Sequence, residues 1–174
     1  MKRWIQSLAE REETIQDLAA AIVRAAAPLL DDDVPPDARG LYLATADAGI
    51  DVSVRFWQDA LAETPRFASP ADFPWALANA PASLLARGLD IRGPSYTLVG
   101  SADAMVAALE HARNDLACGR IAEALIVACD LGGRTQSAVL VDTVIPDLPT
   151  VVPAQVSAAD FLAGFVHPPE SRGT

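Results

Sequence analysis

The stretch Gly93-Pro94-Ser95-Tyr96-Thr97-Leu98-Val99-Gly100-Ser101-Ala102-Asp103-Ala104-Met105 is laid out as nucleophilic chemistry requires. A short uncharged strand passes through a tight turn into a long apolar helix. The first residue of that helix meets free backbone N–H groups and the positive end of the helix dipole, which favour negative charge. A Cys in that place would be a nucleophile with a lowered pKa. The residue there is Ala102, flanked by Ser101 and Asp103. Two readings follow. Either this is an ordinary strand-to-helix turn with Ser101 as N-cap, or it is a site shaped for a nucleophile that lacks one.

The other reactive residue types offer little. Cys118 and Cys129 have no metal-ligand or redox spacing, and buried reduced thiols are expected. Cys118 also falls at the C-terminal end of the helix from Ala102, the wrong end for a nucleophile. His111 lies within that helix and reads as a surface or core residue, and His167 lies in the tail. Asp31-Asp32-Asp33 lacks the Gly and distal Glu of a calcium loop, so a solvated loop is expected. No metal site and no cofactor are expected. Trp4, Trp57 and Trp75 suit a core or an interface as well as a lipid tunnel.

The elements that position the turn are legible as apolar periodicity. A helix is expected from Thr14 to Leu30, with Ile15, Leu18, Ile22, Val23 and Leu29 on one face and a kink or end near Ala27, because of Pro28. Gly40 to Ala46 holds a strand. Asp51 is a candidate cap for a helix running to about Ala62, with Val54, Trp57 and Leu61 on one face. Thr64 to Pro74 reads as a loop. A short helix follows, with Asn79 as cap, Pro81 in its first turn and Gly88 as its end. Tyr96 to Val99 is a strand, and Ala102 to Cys118 a helix with Met105, Val106, Leu109, Ala112 and Leu116 inward. Ala124 to Cys129 is apolar throughout, as a strand buried on both faces would be. Gly132-Gly133-Arg134 suggests a hairpin to a last strand, Ser137 to Val144, antiparallel to its neighbour. Residues 1–145 read as one α/β domain. The Pro-rich extension 146–174 reads as an extended wrap followed by disorder.

Composition narrows the function. The chain has 174 residues, 51% of them hydrophobic, and a net charge of −10. With no basic stripe to neutralise phosphates, a nucleic-acid partner is not expected. No apolar run is long enough to span a bilayer. Met1-Lys2-Arg3-Trp4 leads into Glu10-Arg11-Glu12-Glu13 without the apolar segment of a signal peptide, so a cytoplasmic protein is expected.

The ordered set Ser69-Pro70, Phe73-Pro74, Asn79-Ala80-Pro81-Ala82, Arg92-Gly93-Pro94-Ser95, Gly119 and Leu125-Ile126-Val127-Ala128 resembles the N-terminal half of β-ketoacyl synthases, the condensing enzymes of the thiolase-like fold. The short chain-length-factor-like proteins of aryl-polyene-type pathways are the nearest subgroup. The resemblance implies a thiolase-like half: a mixed, mostly parallel sheet with its last strand antiparallel and helices on both faces. It implies that the nucleophile position of active members is Ala102, at which no thioester can form. Asp103 would also repel an anionic malonyl group. The family's second half carries a His pair, and neither His111 nor His167 stands where that pair belongs. No independent activity is therefore expected.

The resemblance makes Tyr96, Thr97, Leu98 and Val99 candidates for a dimer interface, since the matching strand meets its mate across a two-fold axis. An uncharged edge strand without Pro is in any case an association hazard unless covered. Phe73, Trp75 and Asn79 become candidates for the segment reaching toward a partner's acyl tunnel. The implied partner is an active β-ketoacyl synthase in polyketide or fatty-acid-like synthesis, with an acyl carrier protein engaged indirectly. The alternative is a homodimeric structural or acyl-binding protein. The resemblance also implies a first, central strand ahead of the first helix. Met1 to Leu8 is a poor strand candidate, so a short irregular strand, Thr150-Val151-Val152 or a partner could fill that place.

Overall fold

The structure, a computed structural model, describes residues 3–6, 14–47, 50–63, 70–71, 73–130, 136–145, 147–148 and 156–166. In chain order these form β1 (Arg3–Gln6), α1 (Ile15–Ala26), β2 (Arg39–Thr45), α2 (Ile50–Glu63), α3 (Ala80–Gly88), β3 (Ser95–Val99), α4 (Ala102–Ala117), β4 (Glu123–Asp130), β5 (Gln136–Asp142) and α5 (Ala158–Val166).

The two most apolar strands make the middle of a five-stranded sheet of order β1-β5-β4-β2-β3. β2 pairs in parallel with both β3 and β4, β4 pairs antiparallel with β5, and β5 antiparallel with β1. Four strands thus run one way and β5 alone opposes them. Alternation of side chains divides the core into two layers. Leu41, Leu43, Leu125, Val127 and Val141 face α1 and α3. Tyr42, Ala44, Ala124, Ile126, Ala128 and Leu140 face α4 and α5. Helices therefore cover both faces, as the continuous apolar strands require.

β1 needs a correction. The first strand forms from Arg3–Gln6, and it is not central: it lies at the sheet edge, with Trp4 opposite Leu140. β2 and β4, apolar on both faces, pair directly in the middle instead. Thr150 to Val152 lie outside the described residues, as does the hairpin link Gly132-Gly133-Arg134.

Helix ends follow local chemistry. Thr14 caps α1, its Oγ1 accepting from the Asp17 N–H at 3.1 Å. After Ala26 the chain tightens into a 3₁₀ turn at Ala27–Leu29, which accommodates Pro28. Asp51 is not a cap: α2 begins one residue earlier, where the Ile50 N–H donates to the Asp47 carbonyl at 2.7 Å. Asn79 precedes α3 but makes no capping bond with its side chain. The tail also differs from the extended chain its prolines predict. Over 158–166 it forms α5, whose Ala158, Phe161 and Leu162 enter the core. Ser157 caps it, accepting from the Asp160 N–H at 3.0 Å. That Ser-x-x-Asp signal lies in a stretch without proline.

Candidate functional site

β3 ends at Val99, and the turn into α4 occupies two residues. The Gly100 N–H donates to the Thr45 carbonyl at 2.9 Å, tying the turn to the end of β2. Gly100 has φ +154°, and a Cβ there would stand 3.1 Å from both the Ala104 Cβ and Asp103 Oδ1. Glycine is needed here for conformation and for space. Ser101 is exposed and makes no capping bond with its side chain, so the N-cap reading of Ser101 is not met.

Ala102 follows at 1% exposure, packed in the layer that holds Tyr42, Ala44 and Ala128. Asp103, in the first turn, is exposed. The position that offers a helix N-terminus to a nucleophile is therefore filled by a methyl group sunk in the core. The two thiols lie elsewhere. Cys129, near the end of β4, is buried, and burial pushes its thiol well above the ordinary range. Cys118 is exposed, against the expectation of a buried thiol, at the C-cap of α4. Sixteen helical residues place it roughly 24 Å from the Ala102 end. Cys118 is thus remote from the turn.

Two polar groupings around the turn escape a reading of motifs. The first lies where β2 and β4 end, beside the turn. Asp130 accepts from the Ala46 N–H at 2.6 Å, and the Thr45 hydroxyl donates to Asp47 Oδ1 at 3.2 Å. Burial raises the Asp130 carboxyl above the usual carboxylate range and the Asp47 charge adds to this, while the bond from the Ala46 N–H opposes it. The second grouping lies beneath β3. The Tyr42 hydroxyl donates to Asp115 Oδ2 at 2.7 Å, and Arg120 holds Asp115 Oδ1 at 2.8 Å. Burial and the neighbouring Asp115 push the Tyr42 phenol up, so it stays protonated. A signal for this group was present: Asp115 follows Ala108 and Ala112 on the buried stripe of α4, and a carboxylate there demands a partner.

The Tyr42 ring stacks on Tyr96 at 5.6 Å, and Tyr96 stacks on His111 at 4.9 Å. β3 is thereby fixed on the sheet by ring contacts and by its pairing with β2. Its other edge has no strand partner among the described residues. Tyr96, Thr97 and Leu98 are half-buried, and Val99 is 58% exposed.

Phe73 and Trp75 stand on a 3₁₀ turn, Phe73–Ala76, that packs against α2. The Phe73 ring is exposed and lies 5.8 Å from Phe56, Trp75 is half-buried, and Asn79 is exposed. Among the described residues, no group of three His, Cys, Asp or Glu is placed to hold a metal ion, and no helix is long and apolar enough to cross a membrane.

The fold is shared with solved structures of ketosynthases and chain length factors. The ishigamide ketosynthase/chain length factor superposes with a TM-score of 0.61 at 19% identity, covering 75% of this chain and 43% of that one. The complex of the ketosynthase ApeO with its chain length factor ApeC from Xenorhabdus doucetiae gives 0.65 at 14% identity, covering 91% and 71%. A type II polyketide synthase acyl carrier protein in complex with its hexaketide-bound ketosynthase, AntDE:AntF, gives 0.58 at 14% identity, covering 74% and 46%. The chain thus spans less than half the length of two of these relatives in structure. No family model and no curated protein matches the sequence.

Proposed function

We propose that this chain is a ketosynthase-like subunit without condensing activity of its own. It pairs with an active β-ketoacyl synthase in polyketide or fatty-acid-like biosynthesis, as a chain length factor does. The observation that carries this is Ala102: the fold supplies a helix N-terminus at the end of β3, and a buried methyl group occupies it. No acyl-enzyme can form on that side chain. The outer edge of β3, without a strand partner among the described residues and without a charge from Ser95 to Val99, supplies the place for a partner. Two of the structurally similar assemblies join a ketosynthase to a chain length factor or to an acyl carrier protein. In this reading the condensing chemistry and the carrier protein belong to the partner, in the cytoplasm. Phe73, Trp75 and Asn79 face its acyl tunnel and limit the length of the product.

Native mass after co-expression with the ketosynthases of the same organism tests the pairing, beside the chain expressed alone. A one-to-one complex is expected, and Leu98→Lys on β3 is expected to abolish it. A symmetric homodimer that ignores every ketosynthase would replace this reading with that of a self-paired structural or acyl-binding protein. Trp75→Ala in the complex is expected to lengthen the products, and an unchanged product distribution would remove that residue from the tunnel.

A further inference from the structure

We propose that the outer face of α2 is a second docking surface for the same partner subunit that pairs with β3, and that it is matched by an apolar groove rimmed with Lys and Arg. This rests on the pairing proposed above. Ile50, Val54, Trp57 and Leu61 recur at helical spacing and share one face, yet all four are exposed, Trp57 at 59% and Leu61 at 75%. They are not needed to hold α2 in place. Its inner side does that, with Ala60 buried, Phe56 against Phe73, and the Ser53 hydroxyl donating to the Ala76 carbonyl at 2.7 Å. Together the four side chains present roughly 450 Å² of apolar surface, within the range of a monomer's largest and often functional patch.

Area and position name the occupant. A stable interface takes about 800 Å² from each partner. β3, with five residues, is a strand of roughly 17 Å and cannot supply that by its edge alone. Thr45 pairs with Val99, and the chain turns at once after Thr45, the Ile50 N–H bonding the Asp47 carbonyl. The start of α2 therefore lies within roughly 17 Å of the end of β3, inside the reach of one partner domain. Charge argues against a lipid surface. A helix lying on a membrane carries cations on its polar face, whereas α2 has Asp51, Asp59 and Glu63 against Arg55, on a chain of net charge −10. A chain of that net charge suits a groove with a basic rim.

The test is the double substitution Trp57→Glu with Leu61→Glu, titrated against the ketosynthase that co-purifies with the unaltered chain. At least a tenfold loss of affinity is expected, with an unchanged melting temperature of the isolated chain. Trp57→Phe with Leu61→Met should restore the affinity. A complex that Leu98→Lys breaks but that the α2 substitutions weaken less than twofold overturns the inference and leaves the pairing standing. If no ketosynthase binds the unaltered chain, both fall. Loss of self-association alone on α2 substitution, or loss of flotation with phosphatidylglycerol vesicles, also overturns it, in favour of a second copy or a bilayer.

Discussion

α4 and α2 each leave the C-terminal end of a parallel strand, α4 from β3 and α2 from β2, and each carries an apolar stripe along most of its length. In α4 the stripe of Ala104, Met105, Ala108, Leu109 and Ala112 is buried against the sheet. In α2 the stripe of Ile50, Val54, Trp57 and Leu61 faces outward, and α2 holds to the molecule by its other side. Periodicity announces that a helix has an apolar face; it does not say whether the same chain or another covers it. The difference follows from what lies underneath. α4 crosses back over the sheet, where Tyr42, Ala44 and Ile126 wait for it, while α2 packs against the Phe73–Ala76 turn, which covers only its inner side.

The contrast is broken most sharply by deleting the same atoms from each helix. Leu109→Ala empties a fully buried site and is expected to cost about 2–5 kcal/mol in denaturant unfolding. Leu61→Ala is expected to stay within about 0.5 kcal/mol. Equal costs would mean that α2 is covered within its own chain. The roots of the two helices sharpen the comparison further. Gly100→Val at the root of α4 combines a disfavoured φ with a Cβ only 3.1 Å from Ala104, and is expected to cost about 1–3 kcal/mol. Insensitivity there would detach the turn from the stability of α4.

The smallest effect is expected at the root of α2, where Asp130 accepts from Ala46. Its raised pKa means that the native chain holds a proton the unfolded chain has already released. That contribution is full below about pH 4 and is lost as pH rises through the native pKa. Asp130→Asn keeps an acceptor for the Ala46 N–H and removes the half-buried charge. It is expected to raise Tm slightly at pH 7, with the gain vanishing below about pH 4. A Tm that falls at pH 7 would make the carboxylate itself necessary to that strand end.

Much of this was legible from spacing. α1, β2, α4 and β4 stand where apolar periodicity puts them, and β5 is antiparallel to β4 as the hairpin reading requires. The resemblance supplied the class of fold. Three features were not legible, each for a physical reason. β1 is only four residues, Arg-Trp-Ile-Gln, too short and mixed to show a period, and its place at an edge depends on pairing alone. α5 sits in a Pro-rich tail, so proline masked the cap at Ser157. At the site, Ala102 could be located by counting from Gly93-Pro94, but its burial could not, since nothing local states what packs over a small residue. The bond from Tyr42 to Asp115 joins residues 73 apart in sequence, and only the fold brings them together.

The placement of the aromatic residues has an optical consequence. Of the three tryptophans, Trp57 is on the outer face of α2 and Trp75 is on the adjoining turn, whereas the stacked tyrosines lie in and beside the core. The Trp57 indole therefore reports on the outer face of α2. Anything that covers α2 dries the Trp57 ring and moves its emission to the blue. Without a dye or a tag, the chain carries its own reporter of whatever covers α2.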